Sequence, residues 1–431
     1  MDKKQKKLLE EKRKQYKNEN KDAWLTMKNE TFAKFASSIC DWPNQEPRKA
    51  SEGIKRALRL QKERIKKNGL EMKIKLETSP KEIETSPYLS TKKSISGNYE
   101  NKTEYKYGHK TIEYYRDGKL IKKYKTPFTI YANIINTTTN DILHDTYNCP
   151  NCSSPVKIEE LTKGCPYCNT KFLVSDIYPV VNNYYDIYRT SIQDIKPKRI
   201  ILLLAIITTI FYFIVHYSSV GLSIELLLST IIYFIFFGVI AMTILVYAFL
   251  AFAIIIEGIS KNSKNAPLST YKTPKQIENL LQKYDKNFTF KYFEGEIVNL
   301  LKRIVYADNP SKLSIYTGNN NIDFSNVINT EYKGGMKLIR SYQENNKIYL
   351  DLIVYMLDTY IEDGIIKDCK HQYKMTVYKN INAKQNFNFS VEKIACSGCG
   401  ASFDGESISE CPYCGQHFEL SDYDFTIGEI E

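Results

Sequence analysis

A central run, Ile200–Ile256, carries almost no charge, and it constrains this chain more than any other feature. Ile200–Tyr217 supplies 18 nearly all-apolar residues. As α-helix they span about 27 Å at ~1.5 Å per residue, close to the ~30 Å hydrocarbon thickness of a bilayer. Leu226–Ile256 adds 31 more, longer than one crossing needs, so tilt or a projecting helical end is expected. Ser218–Glu225 between them is short enough only for a tight turn. The alternative, a buried helical hairpin in a large soluble domain, fits poorly because both runs are uninterrupted and charge lies only outside them. The run therefore reads as a two-helix transmembrane hairpin over 199–256.

Lys196, Lys198 and Arg199 precede the first span, Lys261 and Lys264 follow the second, and the tip has no Lys or Arg. The positive-inside rule then places both long flanks in the cytoplasm, giving a two-pass protein of the cell membrane. Glu225 and His216 fall near the outer turn and read as boundary residues, not an ion pathway. Met1–Gln15 is mostly charged with no apolar core, so insertion is expected to come from the central segment.

Eight of the ten cysteines form two sets. Cys149 and Cys152 are followed after twelve residues by Cys165 and Cys168; Cys396 and Cys399 are followed after eleven by Cys411 and Cys414. Paired two-residue gaps let two knuckle turns present four thiolates at the corners of a tetrahedron, the arrangement of a structural zinc ribbon. The sets are also a repeat: Phe172 and Phe418 follow the last cysteine by four, and Ser175-Asp176 and Ser421-Asp422 by seven and eight. Disulfides fit poorly in a reducing compartment, and redox CxxC motifs come singly at a helix start. Two structural zinc ions are expected, each in a closed site with no position for a catalytic water. His417 is a possible substitute ligand, and Cys40 and Cys369 read as ordinary thiols.

Charge is uneven. Residues 1–75 hold 22 Lys/Arg against 11 Asp/Glu, which accounts for the whole net charge of +11. Ile54, Leu58 and Ile65 make only a thin apolar stripe there. The stretch reads as a solvated helical arm, or as a surface for anionic lipid, RNA or the ribosome. No aromatic-interleaved basic groove supports the nucleic-acid version. Thr111–Tyr115 and Leu120–Tyr124 around Asp117-Gly118 predict a β-hairpin. Past the hairpin a helix is expected from Thr273-Pro274 through Tyr284. A second carries the stripe Phe293, Ile297, Leu300, Leu301, Ile304. Strands follow at Lys347–Tyr360 and Ile365–Lys379 around Glu362-Asp363-Gly364, then at about Asn386–Ile394 and Tyr423–Ile427.

The order of these elements resembles a known family. Asn279–Ala307, with Asp285 and Phe288 spaced as in an Asp-x-x-Phe signature, looks like the helical opening of the Tim-forty-four-like domain of the mitochondrial import-motor tether. The whole is similar to bacterial membrane-anchored zinc-ribbon transport proteins carrying that domain. Lys286 stands where a Pro commonly follows the Asp, and Phe425 where a Trp is typical. The resemblance implies a nuclear-transport-factor-two-like α+β cone with an apolar cavity that Phe293, Ile297 and Leu300 help line, and a role in binding or transport. Packing of those three in an ordinary core is the simpler expectation.

The chain is thus expected to be an α+β membrane protein divided into a basic helical arm (1–75), a strand-rich region (76–147), a first ribbon (148–178) and a linker (179–198). The hairpin (199–256), a second linker (257–273) and the cone domain (274–431), with the second ribbon inserted at 395–421, complete it. No Ser/His/Asp arrangement, phosphate-binding Gly-rich loop or open metal site is present, and Asp351, Asp358 and His371 share a sheet without catalytic spacing. A non-catalytic scaffold with membrane lipid and a protein partner is expected. A nucleic-acid or ribosome adaptor is the alternative.

Overall fold

The computed structural model describes residues 30–42, 44, 46–78, 93–139, 141–149, 151–152, 154–188, 197–259, 266–318, 323–387, 394–406 and 408–431. They form two compact units: a body built from both ends of the chain, up to Tyr188 and again from Ser269, and a separate unit between them.

The body opens with α1 (Glu30–Asp41) and α2 (Glu52–Lys67). Ser51 caps α2 by accepting from the Ile54 backbone N–H, and Arg64, Lys66 and Lys67 lie in its last turn, where cations suit the helix dipole. β1 (Glu71–Thr78), β2 (Lys93–Ser96), β3 (Tyr99–Arg116) and β4 (Lys119–Thr137) follow. Asp117 (φ 50°) and Gly118 (φ 74°) turn β3 into β4 with both residues left-handed, as a type I′ hairpin requires. The first ribbon holds β5 (Thr146–Asn148), β6 (Pro155–Lys157) and the short helices α3 (Ile158–Lys163) and α4 (Val174–Ile177). β7 (Val180–Tyr188) then closes a sheet of order β1-β3-β4-β7, with β2 paired to β3.

Residues 30–78 are therefore not a solvated arm. Ile54, Leu58 and Ile65 are buried together with Phe32, Phe35, Ile39 and Trp42 against Met72, Tyr114, Phe128 and Ile130 of the sheet. At about 1.5–3 kcal/mol per buried large apolar side chain, even a thin stripe holds a 16-residue helix in place. The boundary at 75/76 falls inside β1, which pairs with β3 through Thr78.

The second unit comprises α5 (Pro197–Val220), α6 (Ile224–Tyr233), a π-helical stretch Phe234–Ala241 and α7 (Met242–Ile259). Gly221 (φ 69°) and the Ser223 cap on Leu226 N–H make the turn. Tyr212 stacks on Tyr233 at 4.2 Å, and Gly238 faces Ala205 and Thr209 so closely that an added Cβ would lie 3.3 Å from each. Ile200–Ser219 and Ile224–Phe252 are long and apolar enough to cross a membrane, and only 11% of an 18-residue apolar stretch in each is buried. A core helix of a soluble protein would be mostly buried.

The chain re-enters the body with α8 (Thr273–Leu281) and α9 (Phe290–Tyr306). β8 (Val327–Glu344), β9 (Lys347–Glu362), β10 (Ile365–Asn380), β11 (Ile394–Ala395), β12 (Ser402–Phe403) and β13 (Thr426–Ile430) follow. The main sheet runs β13-β10-β9-β8. Its hairpins turn at Asn345-Asn346 and Asp363-Gly364, all four residues at positive φ. β8 escaped the sequence reading because Gly334-Gly335 interrupts it. The pairing slips between Tyr332 and Met336, and Gly334 (φ +82°) lies where a Cβ would be 2.6 Å from Ile187. The fourth strand begins three residues later than expected, at Thr426, and pairs with β10. Most of the strand expected at Asn386–Ile394 lies outside the described residues, and Asn386 and Phe387 are not in a strand.

α9 is buried nearly all round. Phe293, Ile297, Leu301 and Ile304 pack on Leu350, Leu352, Val354 and Met356 of the sheet. Its other side meets the N-terminal half: Glu294, 3% exposed, accepts from Tyr185 OH (2.6 Å), Tyr332 OH (2.8 Å) and Lys291 Nζ (2.7 Å). Lys110 pairs with Asp186 at 2.5 Å and also with Glu331, and Gln61 Nε2 donates to Asn329 Oδ1 at 2.9 Å. Arg64, 3% exposed, donates to the carbonyls of Tyr306 (3.2 Å) and Ala307 (3.1 Å), so an N-terminal residue closes the C-terminus of α9.

Candidate metal centres and the cleft beside them

Both cysteine sets converge. Cys149, Cys152, Cys165 and Cys168 bring their sulfurs within 4.8 Å of one another, and so do Cys396, Cys399, Cys411 and Cys414. The close Sγ···Sγ separations are 3.6 Å for Cys149–Cys168 and Cys152–Cys165, 3.5 Å for Cys396–Cys414 and 3.7 Å for Cys399–Cys411. A disulfide would need ~2.05 Å. A tetrahedral ion with ~2.3 Å metal–sulfur bonds needs edges of about 3.8 Å, so the spacing fits a metal in each set.

Local backbone geometry explains the convergence. Cys165 N–H donates to Thr170 O and Asn169 N–H returns to Cys165 O; Cys396 with Ala401 and Gly400, and Cys411 with Gln416 and Gly415, repeat the pattern. Asn169 (φ 58°), Gly400 (φ 73°) and Gly415 (φ 73°) occupy the left-handed position after the second cysteine of their knuckles. Hydrogen bonds from Thr170 hold the Cys168 thiol down to about 6, and backbone N–H groups of Cys399 and Gly398 do the same for Cys396, also to about 6. Donors aimed at sulfur favour the thiolate, the form that ligates a metal. His417 and Cys369 are exposed, Cys40 is half-buried, and none of the three belongs to a cluster.

The shared tails have a common structure too. Phe172 packs into the first ribbon's core and Phe418 into that of the body, and each Ser-Asp pair falls in a single helical turn, Val174–Ile177 or Leu420–Asp422.

The second ribbon is fastened to both halves of the chain through Glu406, which is fully buried. It receives Arg303 Nε of α9 at 2.9 Å and Arg56 Nε of α2 at 2.7 Å, while Arg56 also reaches Asp404 at 3.1 Å. Spacing could not reveal this node, because its three members are scattered over 350 residues of sequence. α2 directs Arg56 and Arg64 inward, while its Arg59 pairs with Glu46 and Lys67 with Asp308 at the surface.

A cleft of about 390 Å³ lies between the ribbons. Its walls include Cys149 of the first, Leu420 and Tyr423 beside the second, and Tyr292, Glu296, Asn299 and Leu300 along α9. Of the three apolar residues expected to line a cone cavity, Leu300 borders this separate cleft, and Phe293 and Ile297, both 0% exposed, are core. Glu296 hydrogen-bonds Asp424, and burial, followed by the Asp424 charge, pushes its carboxyl well above the usual carboxylate range. Asp285 accepts from Gln385 N–H at 2.9 Å and from Asn287 N–H at 3.0 Å, and Phe288 is buried in the core. Both residues thus serve to fix the α8–α9 connection. Phe425 stacks edge-on against Phe293 at 4.9 Å.

Asp358, 2% exposed, accepts from Tyr373 OH at 2.6 Å and lies 3.2 Å from His371 Nδ1. Asp351 accepts from Thr376 at 2.8 Å. These contacts tie strands together and bring no nucleophile to an acid–base pair. No protein family, curated protein or solved structure matches the chain.

Proposed function

We propose that the chain is a non-catalytic binding or scaffold protein of the cell membrane, anchored by its hairpin, with both termini cytoplasmic and its α+β body offered to a protein partner. One observation carries this reading: the body is assembled from both flanks of the apolar hairpin. A bilayer cannot run between halves that share a core, so the flanks must occupy one side, and two spans return the chain to the side it left. The Lys/Arg residues bordering the hairpin favour the cytoplasmic side.

Zinc is the ion the clusters fit best. Four thiolates at tetrahedral spacing suit it, and a closed four-sulfur site supplies folding energy rather than chemistry. The helices α8 and α9 laid on a four-stranded antiparallel sheet, together with the roles of Asp285 and Phe288, support a Tim-forty-four-like, nuclear-transport-factor-two-like cone and hence a part in protein transport. Because Arg56 and Arg64 of α2 are engaged within the body, we favour a protein partner over RNA or the ribosome.

Proximity cross-linking of the full chain in native membranes, with partners identified by mass spectrometry, tests this. A specific protein enriched over a hairpin-only control is expected. Recovery of nothing beyond that control would overturn the scaffold reading.

A further inference from the structure

The cleft between the ribbons has a chemical character of its own. Most charges that border it are neutralised inside the protein. Lys55 pairs with Glu52 at 2.7 Å, and Arg303 is held by the buried Glu406. Glu296 and Asp424 remain, both lining the cleft, with Lys379 3.6 Å from Asp424 as the nearby cation. That lysine balances one carboxylate. A further positive charge entering the cleft would favour ionisation of the second, since neighbouring carboxylates repel.

A second, independent feature concerns neutral groups. Asn183, 2% exposed, lines the same cleft, and its Nδ2 has no acceptor among the described residues. Asn299, also in the lining, has an Oδ1 with no donor among them. A buried amide without its partner costs about 1–3 kcal/mol, so such groups mark where a ligand can gain. One orphan donor and one orphan acceptor suit a hydroxyl, which both gives and takes a hydrogen bond. Between these polar points the wall is apolar and aromatic, with Tyr178, Tyr292, Leu300, Phe387 and Phe425. The volume falls in the ~300–1,000 Å³ range of small-molecule sites.

We infer that this cleft binds a small hydroxyl-bearing organic amine. Its ammonium seats on Glu296 and Asp424, its apolar body lies against the Tyr292–Leu300 face of α9, and its hydroxyl meets Asn183 and Asn299. The site lies outside the sheet-facing side of α9, where Phe293 and Ile297 are already packed. It goes beyond the scaffold reading and needs no protein partner. Amine binding without a captured partner would remove that reading and leave this one standing.

The test uses the full-length, metal-loaded protein in detergent micelles and two probes of equal shape, tyramine and its neutral counterpart tyrosol. Isothermal titration should show tyramine binding at least tenfold more tightly than tyrosol. Glu296→Gln, which keeps the shape of the side chain, should erase that preference while near-UV circular dichroism stays unchanged. Equal affinities for the two probes, or no measurable binding of either, overturn the proposal, and this comparison needs no variant. A preference for tyramine that persists in a folded Glu296→Gln protein overturns the assignment of the carboxyl pair.

Discussion

Replacing Glu406 by Gln removes one negative charge and almost no volume, which makes it a clean probe of how the second ribbon is held. In the native protein the carboxylate is 0% exposed and accepts from two guanidinium groups. Arg56 has a side chain 24% exposed and keeps Asp404 at 3.1 Å, so it loses only part of its compensation. Arg303 has a side chain only 5% exposed, and Glu406 is the carboxylate that compensates its charge. Breaking a buried pair from one side costs about 3–5 kcal/mol, mostly as the penalty on the charge left behind. Against a typical domain stability of ~5–15 kcal/mol, such a loss is plain in any denaturation curve. Urea unfolding of the full chain in micelles, followed by fluorescence of the buried Trp42, measures it. Adding Arg303→Met to Glu406→Gln should recover a good part of the loss, because the stranded charge is gone. A single-variant cost below about 1 kcal/mol, the level of an exposed ion pair, would refute the claim that this node clamps the ribbon to both halves.

Three further outcomes are expected. Metal analysis of the purified chain should give two equivalents of zinc, and Cys168→Ser or Cys411→Ser should each release one and not the other; full retention of both ions in either variant contradicts the cluster assignment. Gly295→Ala would bring a Cβ to 2.1 Å from Asn183 Oδ1, and equilibrium unfolding should register a loss of about 1–3 kcal/mol. Lys106, 8% exposed, has its pKa lowered to about 8 by burial. Folded pKa then lies below the unfolded value of 10.5, so the desolvation penalty is fully present below pH ~8 and relieved as pH rises towards 10.5. Lys106→Met should therefore stabilise the protein by roughly 1–3 kcal/mol at neutral pH and flatten the rise in stability over that window; a destabilised variant at pH 7 would count against the burial cost.

Local signals in this sequence were dependable and long-range ones were not. The cysteine spacing, the apolar run and the Asp117-Gly118 and Asp363-Gly364 turns each depend on a few adjacent residues, and the structure displays all of them. Residues 1–29 of the expected arm lie outside the described residues; in the rest, Ile54, Leu58 and Ile65 look sparse until Phe32, Trp42 and Ile130 are known to cover them. β8 is hidden by Gly334-Gly335, of which Gly334 leaves room for Ile187. The node at Glu406 and the Glu296–Asp424 pair join residues that only the assembled fold makes neighbours. No periodicity marks them.

The body's chain leaves at Tyr188 and comes back at Ser269, and this has a consequence for how the protein is made. When Tyr188 emerges from the ribosome, β8, the last of the elements these residues pair with, ends 156 residues further on, at Glu344. At ~5–20 residues per second those residues take roughly 8–31 s. Until α9 and β8 are made, Tyr185, Gln61 and Arg64 face no partner. The newborn N-terminal half must therefore wait, half-finished and sticky, while the apolar hairpin that follows it is made. A holding chaperone, or slow translation of the hairpin matched to a fast final docking step, would decide the yield of this protein as much as its final stability does.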